Sequence, residues 1–183
     1  MSRPPLPRPG RDATAARLAE ILRVDHAGEL AAVQIYRGQR AVMEGRTAMA
    51  ADLAQMEAHE QRHLDRFDAL LTEKRVRPTL LTPVWRVAGF ALGAGTALLG
   101  EKAAHACTEA VEAVIEEHYA GQVEELKDRD PALSDELAQF RDEELAHHDH
   151  AVEHGSREAP GYAVLSAVIQ AGCRAAIKIS EKL

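Results

Sequence analysis

Apolar residues recur at steps of three and four along most of the chain, which is the spacing of one face of an α-helix. Gly45 and Gly155 follow two such stretches and predict helix ends, and Thr47 is placed to cap the helix after Gly45. Thr82-Pro83 predicts another helix start, because proline is tolerated at the first helical position. The pattern predicts six helices and no strands. They lie at about 12–44, 47–74, 84–100, 101–127, 131–154 and 160–183.

The second half of the chain repeats the first. Glu29 recurs as Glu112, 83 residues later, and the pair Glu60 and His63 recurs as Glu144 and His147, 84 residues later. Five residues near the end of the first half, at 83, 85, 87, 94 and 95, have identical or aromatic counterparts 77 positions later. Duplication of a three-helix unit is the simplest explanation.

The repeated glutamates and histidines interrupt apolar helix faces. Glu60 and His63 stand among leucine, methionine and phenylalanine on their helix, and Glu144 and His147 replace an apolar pair in the same way. Glu29 and Glu112 also lie in line with apolar or aromatic residues. An unpaired carboxylate in such a face would cost several kcal/mol or give up its charge. A bound cation therefore explains the glutamates and histidines on these apolar faces better than a chance occurrence of the motif does.

The donor types narrow the choice of metal. Carboxylate oxygens and imidazole nitrogens without any thiolate suit iron or manganese better than a structural zinc site. A single Glu from each of two helices and a Glu-x-x-His from each of two others form the ligand set of a dinuclear centre in a four-helix bundle. Two of the glutamates would bridge the ions and leave coordination positions open. The alternatives are a bundle with buried polar clusters and an incidental histidine pair.

Composition limits the class of protein. The chain has 183 residues, of which 46% are hydrophobic, and this is enough for one well-buried domain, predicted over residues 12–183. Residues 1–11, rich in Arg and Pro, are interpreted as a flexible tail. A net charge of −7 without a basic stripe argues against nucleic-acid binding. Cys107 and Cys173 form no Cys-x-x-Cys motif, which favours reduced thiols and a bacterial cytoplasmic compartment.

Two apolar segments, 84–100 and 162–176, predict contact with a membrane surface. No charged residue occurs from Val87 to Gly100, and 162–176 carries only Arg174. Fourteen helical residues rise about 21 Å, too little to cross a hydrocarbon core of about 30 Å, so 84–100 would lie in the interface. The alternative is a core helix whose Gly89-x-x-x-Gly93 spacing packs against the last helix.

A histidine and a tyrosine follow Glu112 on the same helix. Tyr119 shares the face of Glu112, and His118 precedes it, so both are candidates for a redox or substrate-orienting role. Alternatively, the Tyr119 hydroxyl is hydrogen-bonded to a ligand carboxylate.

Other polar neighbours of the repeated motifs are candidates for supporting roles. Asp25 or His26, one turn before Glu29, could bond a ligand. Asp142 and Glu143 belong to a solvated face, although either could hold the outer nitrogen of a ligand histidine. On a helix, His148 and His150 point away from His147 and are expected in solvent or in supporting contacts.

The stretch Arg23-Val-Asp-His-Ala-Gly-Glu29 resembles the demethoxyubiquinone hydroxylase family, the di-iron monooxygenases of coenzyme Q biosynthesis. The resemblance covers roughly residues 20–183. Further matching motifs lie at 75–79, 89–100, 106–108, 110–112, 141–149 and 169–174.

The resemblance implies a ferritin-like bundle of four helices with two additional apolar helices and two iron ions. It places the ligands on Glu29, Glu60, His63, Glu112, Glu144 and His147, with Glu60 and Glu144 as bridges. It also implies hydroxylation of 2-polyprenyl-3-methyl-6-methoxy-1,4-benzoquinol with O2, at the cytoplasmic face of a bacterial inner membrane.

Electrons would come from outside the chain, because no Gly-x-Gly-x-x-Gly fingerprint is present. A reductase, NADH or the quinol itself could supply them. The alternative functions are an iron-oxidising or iron-storing ferritin-like protein, a manganese catalase and a metal-free helical scaffold.

Overall fold

A computed structural model describes residues 13–45 and 49–183. Within these residues it contains α-helices, one short 3₁₀ helix and no strand. The all-helical prediction is confirmed, while the predicted tail at 1–11 and the predicted cap Thr47 lie outside the described residues. The six α-helices are α1 (Ala13–Met43), α2 (Met49–Lys74), α3 (Thr82–Leu98), α4 (Glu101–Leu126), α5 (Pro131–Glu153) and α6 (Tyr162–Ser180).

The helix ends follow the residues that predicted them. Gly45 and Gly155 have φ angles of 70° and 82°, a left-handed conformation that glycine adopts without steric cost and that ends α1 and α5. Asp130 precedes α5, and its side chain accepts a hydrogen bond from the Leu133 amide at 3.3 Å. The last helix begins at Tyr162 instead of Pro160, because Gly161 has a left-handed φ angle of 70° that a helix interior does not accommodate.

The two halves of the chain have the same internal arrangement. Helix α1 packs against both α2 and α3, and helix α4 packs against both α5 and α6. Side chains of α1, α2, α4 and α5 meet in one apolar cluster around Phe67, Tyr119 and Leu137. This arrangement is consistent with the predicted duplication, and it leaves α3 and α6 outside the four helices that share the core.

Glycines let α1 and α3 approach closely. A Cβ atom added at Gly93 would lie 2.0 Å from the Ile35 carbonyl oxygen, and one added at Gly38 would lie 2.2 Å from that of Phe90. Gly89 meets α1 in the same way. The alternative in which the Gly89-x-x-x-Gly93 pair packs against the last helix is therefore wrong, since its partner is α1.

Helices α3 and α6 expose apolar side chains. Among the described helices, α6 is the one that is long and apolar enough to cross a membrane by length and composition, whereas α3 has only 17 residues. The most exposed of these side chains include Val87 at 71% and Leu98 at 72%. The other large exposed apolar residues of α3, α6 and the turn after α3 are Val84, Phe90, Leu99, Val164, Val168 and Ile179.

Candidate metal centre

Six acidic and histidine side chains from four helices converge in the middle of the bundle. All six are at most 4% exposed. Their donor atoms form two groups of four, in each of which the atoms lie within 4.8 Å of one another. Glu60 and Glu144 belong to both groups. Glu29 and His63 complete one group, and Glu112 and His147 complete the other.

Both histidines present Nδ1 to the carboxylates. The Nδ1 atom of His63 lies 3.1 Å from Oε1 of Glu144 and 3.4 Å from Oε2 of Glu29. The Nδ1 atom of His147 lies 2.9 Å from Oε1 of Glu60 and 3.6 Å from Oε2 of Glu144. The Nδ1 atom of each histidine therefore faces Glu144, which both groups share, and one further glutamate from another helix.

The donor atoms that face the centre lack hydrogen-bond partners. Among the described residues, both oxygens of Glu60 and Glu144, one oxygen each of Glu29 and Glu112, and both histidine Nδ1 atoms are buried without one. Leaving a buried polar group unsatisfied costs about 1–3 kcal/mol, and more when the group is charged. Such a set fits a pair of divalent cations, which would neutralise the four carboxylates and occupy their free lone pairs.

The histidines compensate these charges only in part: their contacts outweigh burial at Glu144 and lower the pKa of that carboxyl to about 2. Burial, together with the nearby Glu144 carboxylate, raises the pKa of Glu60 and of Glu112 well above the ordinary value. Burial by itself would lower the pKa of His63, but its contacts with Glu144 and Glu29 outweigh this effect and raise that pKa to about 12. The carboxylates thus compete for positive charge, which a metal pair would supply.

Two tyrosines connect the single glutamates across the repeat. The Tyr36 hydroxyl donates a hydrogen bond of 2.7 Å to Oε1 of Glu112, and the Tyr119 hydroxyl donates to Oε1 of Glu29. The hydrogen bond to Glu29 matches the alternative stated for Tyr119, while the role of Glu29 as a metal ligand stays a prediction. Tyr36 was missed as its counterpart, although each tyrosine follows its own repeat's glutamate by seven residues.

The outer nitrogen of each histidine is held by the residue that precedes a shared glutamate. Nε2 of His63 lies 2.9 Å from Oε2 of Glu143, as anticipated for that residue. Nε2 of His147 lies 3.2 Å from Nδ1 of His59, and the two rings stack. His59 was not foreseen, although 143 minus 84 is 59, so the repeat itself indicated it. These contacts fix the ring orientations and leave Nδ1 facing the centre.

Comparison with known proteins identifies the family of the chain. Residues 16–180 match the family described as ubiquinone biosynthesis protein COQ7. The chain belongs to this family.

Named relatives of the COQ7 family are similar over nearly the whole chain. The human mitochondrial NADPH-dependent 3-demethoxyubiquinone 3-hydroxylase is 52% identical over 172 residues, covering 92% of this chain and 79% of the relative. The 3-demethoxyubiquinol 3-hydroxylase of Rhodospirillum rubrum is 51% identical over 175 residues, covering 96% and 82%. The mitochondrial 5-demethoxyubiquinone hydroxylase of Saccharomyces cerevisiae is 42% identical over 188 residues, covering 94% and 81%.

His118 lies outside the centre of this COQ7-family chain. Its Nε2 lies 3.4 Å from Oδ1 of Asp25 and 2.8 Å from Nε2 of Gln122, which also bonds Asp25 at 2.7 Å. His26 bonds Asp68 instead of a central glutamate. The expectation that Asp25 or His26 bonds one of the six residues is therefore wrong, because both side chains turn toward partners outside the centre.

A partly exposed cavity of about 400 Å³ borders His118. It is lined by charged residues of α1, α4 and α6, including Arg17, Arg174 and Lys178. His118 thus stands between solvent and the buried Asp25 carboxyl, whose pKa is raised by burial. His118 therefore contacts Asp25 and Gln122 instead of the central carboxylates.

Proposed function

We propose that the chain is a demethoxyubiquinol hydroxylase that uses O2 at a carboxylate-bridged pair of iron ions. The observation that carries the proposal is the set of buried donor atoms without hydrogen-bond partners, in a chain whose relatives are named demethoxyubiquinone or demethoxyubiquinol hydroxylases. The substrate would be 2-polyprenyl-3-methyl-6-methoxy-1,4-benzoquinol. One ring C–H would become C–OH, and the second oxygen atom would leave as water with two electrons and two protons from outside.

The six central residues would hold the irons in a ferritin-like arrangement. Glu29 and His63 would bind one ion, Glu112 and His147 the other, and the shared Glu60 and Glu144 would bridge them. When bound, the metal pair supplies the reduction of O2 that the side chains cannot perform. The carboxylates would balance the four positive charges of two ferrous ions, so the loaded centre would be formally neutral.

Tyr36 and Tyr119 would orient the terminal ligands. Each hydroxyl donates to one oxygen of Glu112 or Glu29 and leaves the other oxygen free for the metal. The bond reaches across from the opposite repeat, so it also ties α1 to α4. His118 would pass protons from the charged cavity to Asp25 through its Nε2 atom.

An apolar groove between α3 and α6 is the proposed entry for the quinol. It is lined by apolar residues of α1, α3, α4 and α6, and includes Gly28, the residue beside Glu29. Trp85 of α3 donates to Oγ of Ser180 of α6 at 3.0 Å and so closes one side of the groove. Nothing lies within 4 Å of a Cβ atom added at Gly28, so the groove floor is open at this point.

The groove has to widen when it binds substrate. Its enclosed volume is about 80 Å³, far below the roughly 300–1,000 Å³ of typical ligand pockets. Separation of α3 from α6 would enlarge it without disturbing the four helices that carry the ligands.

The exposed apolar faces of α3 and α6 would lie on the membrane that holds the polyprenyl tail. Most of α6 is apolar, and only 17% of its span is buried. We expect peripheral attachment to the cytoplasmic face of a bacterial inner membrane, with the groove open toward lipid. Vesicle flotation of the wild type and of Val168→Asp tests this, since an exposed apolar residue is exchanged for a charge; equal flotation would contradict attachment through α6.

The electron donor would be an external NADH, NADPH or reductase. The mammalian relatives are named NADPH-dependent. Stopped-flow oxidation of each reduced nicotinamide by the iron-loaded protein, with and without quinol, distinguishes direct reduction from a need for a reductase.

Substitution of the shared glutamates tests the proposed activity. Glu60→Ala or Glu144→Ala should abolish quinol hydroxylation, because each removes a donor to both ions, while circular dichroism should show unchanged helix content. Glu153→Ala, on the exposed end of α5, serves as the matched control. Full hydroxylation activity in Glu60→Ala or Glu144→Ala would contradict the proposed metal-dependent hydroxylase.

A further inference from the structure

A second group of potential ligands lies at the end of the bundle where α5 terminates. Asp52 on α2, His150 on α5 and His154, the residue directly after α5, hold donor atoms within 4.8 Å of one another. The rings of His150 and His154 stack with centroids 3.9 Å apart, and the buried His105 of α4 stacks on His154 at 5.3 Å. None of these residues belongs to the six of the central site.

One imidazole nitrogen of this group is buried near a carboxylate and has no hydrogen-bond partner in the described part of the chain. Among the described residues, Nε2 of His150 is buried without a hydrogen-bond partner, 3.7 Å from Oδ2 of Asp52. Nδ1 of His154 donates to the His150 carbonyl oxygen at 2.7 Å. That bond places the proton of a neutral His154 on Nδ1 and leaves the Nε2 lone pair available.

The surroundings of His150 and His105 favour the neutral imidazole, which is the form that binds a metal. Burial, helped by the adjacent His154, lowers the pKa of His150. Burial and the neighbouring histidines lower the pKa of His105 to about 4. The three adjacent rings would repel one another if they were protonated. Without a metal, the buried Nε2 atom of His150 has no hydrogen-bond partner among the described residues.

The group does not arise from the internal repeat. Subtracting 84 from His150 and His154 gives Arg66 and Leu70, which are not metal ligands in this setting. The two histidines thus lack histidine counterparts in the first half, and together with Asp52 of that half they form a group that the repeat does not duplicate.

We propose that Asp52, His150 and His154 form a separate mononuclear site for a borderline divalent ion such as Zn²⁺. Two imidazole nitrogens and one carboxylate oxygen are a suitable donor set, with a fourth position open to water. His105 would support the ring of His154 from behind. Because the ligands come from α2 and α5, the bound ion would tie these two helices together at the end of the bundle.

Counting bound zinc tests the proposal. The untagged full chain is equilibrated with buffered Zn²⁺, and bound metal is measured by mass spectrometry. The wild type should bind one more ion than His154→Gln or Asp52→Asn, and affinity for that ion should fall at least about 100-fold, beyond the loss typical of outer-shell partners. His148→Gln is the matched control, since His148 bonds Asp149 on the same helix and should retain wild-type binding.

The test compares the number of zinc ions bound by the wild type and by each variant. Zinc in the central site adds equally to both numbers and does not affect their difference. The test remains valid whether or not the central site is a hydroxylase, and His154→Gln should hydroxylate quinol at the wild-type rate. Equal zinc counts in the wild type, His154→Gln and Asp52→Asn, each with native circular dichroism, would overturn the proposal and leave a packed histidine cluster. Asp52 is partly exposed, so its exchange to Asn should not impair folding.

Discussion

Exchange of Glu60 for Gln should stabilise the metal-free protein and abolish its stabilisation by iron. Glu60 is fully buried, and both its oxygens lack hydrogen-bond partners among the described residues. Burial and the carboxylates of Glu144 and Glu29 raise its pKa well above the ordinary value, so its charge is unfavourable in the folded state. Glutamine keeps the shape and an acceptor oxygen but carries no charge.

The expected gain is the extra cost of burying a charged rather than a neutral polar group without a partner, which is about 2 kcal/mol. For a chain of this length, that free energy corresponds to a rise in Tm of about 4–8 °C. A raised folded-state pKa costs stability once the pH exceeds the unfolded value near 4.5, and the cost grows until the pH passes the folded value. The contribution of Glu60 to the stability of the metal-free wild type should therefore fall from pH 5 upward, and Glu60→Gln should lack this loss.

Thermal unfolding, followed by circular dichroism in chelator and again with two equivalents of Fe²⁺ under argon, measures both effects. Glu153→Gln, an exposed exchange of the same kind, should change stability by less than about 0.5 kcal/mol. A metal-free Glu60→Gln protein less stable than the wild type at pH 7.5 would refute the reasoning. It would mean that other protein groups already compensate the Glu60 charge.

Three further predictions concern helix contact, ligand orientation and the groove. Gly93→Ala should destabilise the protein by about 1–3 kcal/mol in urea unfolding, because the added Cβ would collide with the Ile35 carbonyl. Gly95→Ala, whose Cβ meets open space, is the control and should be neutral or stabilising. Equal effects of the two substitutions would refute the α1–α3 contact. Tyr119→Phe removes the hydroxyl that donates to Glu29 and should weaken iron binding about 10–100-fold, measured by competition with a chelator. The helix content should stay unchanged. An unaltered affinity for iron would exclude the orienting role of Tyr119. Gly28→Leu fills the groove floor and should raise KM for the quinol at least about tenfold without changing iron content; an unchanged KM would place substrate entry elsewhere.

Sequence periodicity predicted the helices and the convergence of the six residues because both depend on local spacing. Each Glu-x-x-His lies on the inward face of a helix that must bury that face, so Glu60 and Glu144 could only meet inside the bundle. The repeat then related the two halves. The metal and its chemistry stay predictions, as do the single domain over 12–183 and the catalytic roles of Glu60, Glu144, His118 and Tyr119.

The apolar face of one helix does not show how that helix is rotated against its neighbours. Contacts that depend on this rotation could therefore not be predicted from the sequence. Gly93 could have met either α1 or α6, and only the packed structure assigns it to α1. Asp25 and His26 lie one turn from Glu29, yet helix rotation directs them to Gln122 and Asp68. His59 and Tyr36 were overlooked, although applying the repeat offset to every polar residue near the motif would have found both.

The most direct test of the account is a single turnover of the iron-loaded, chemically reduced protein with ¹⁸O₂ and a short-tailed demethoxyubiquinol, followed by mass spectrometry of the quinone. The account predicts a product that carries one ¹⁸O atom in a new ring hydroxyl, and none with Glu144→Ala. Oxidation of the iron with the quinol returned unchanged would contradict the hydroxylase and indicate an iron-oxidising protein on the same fold.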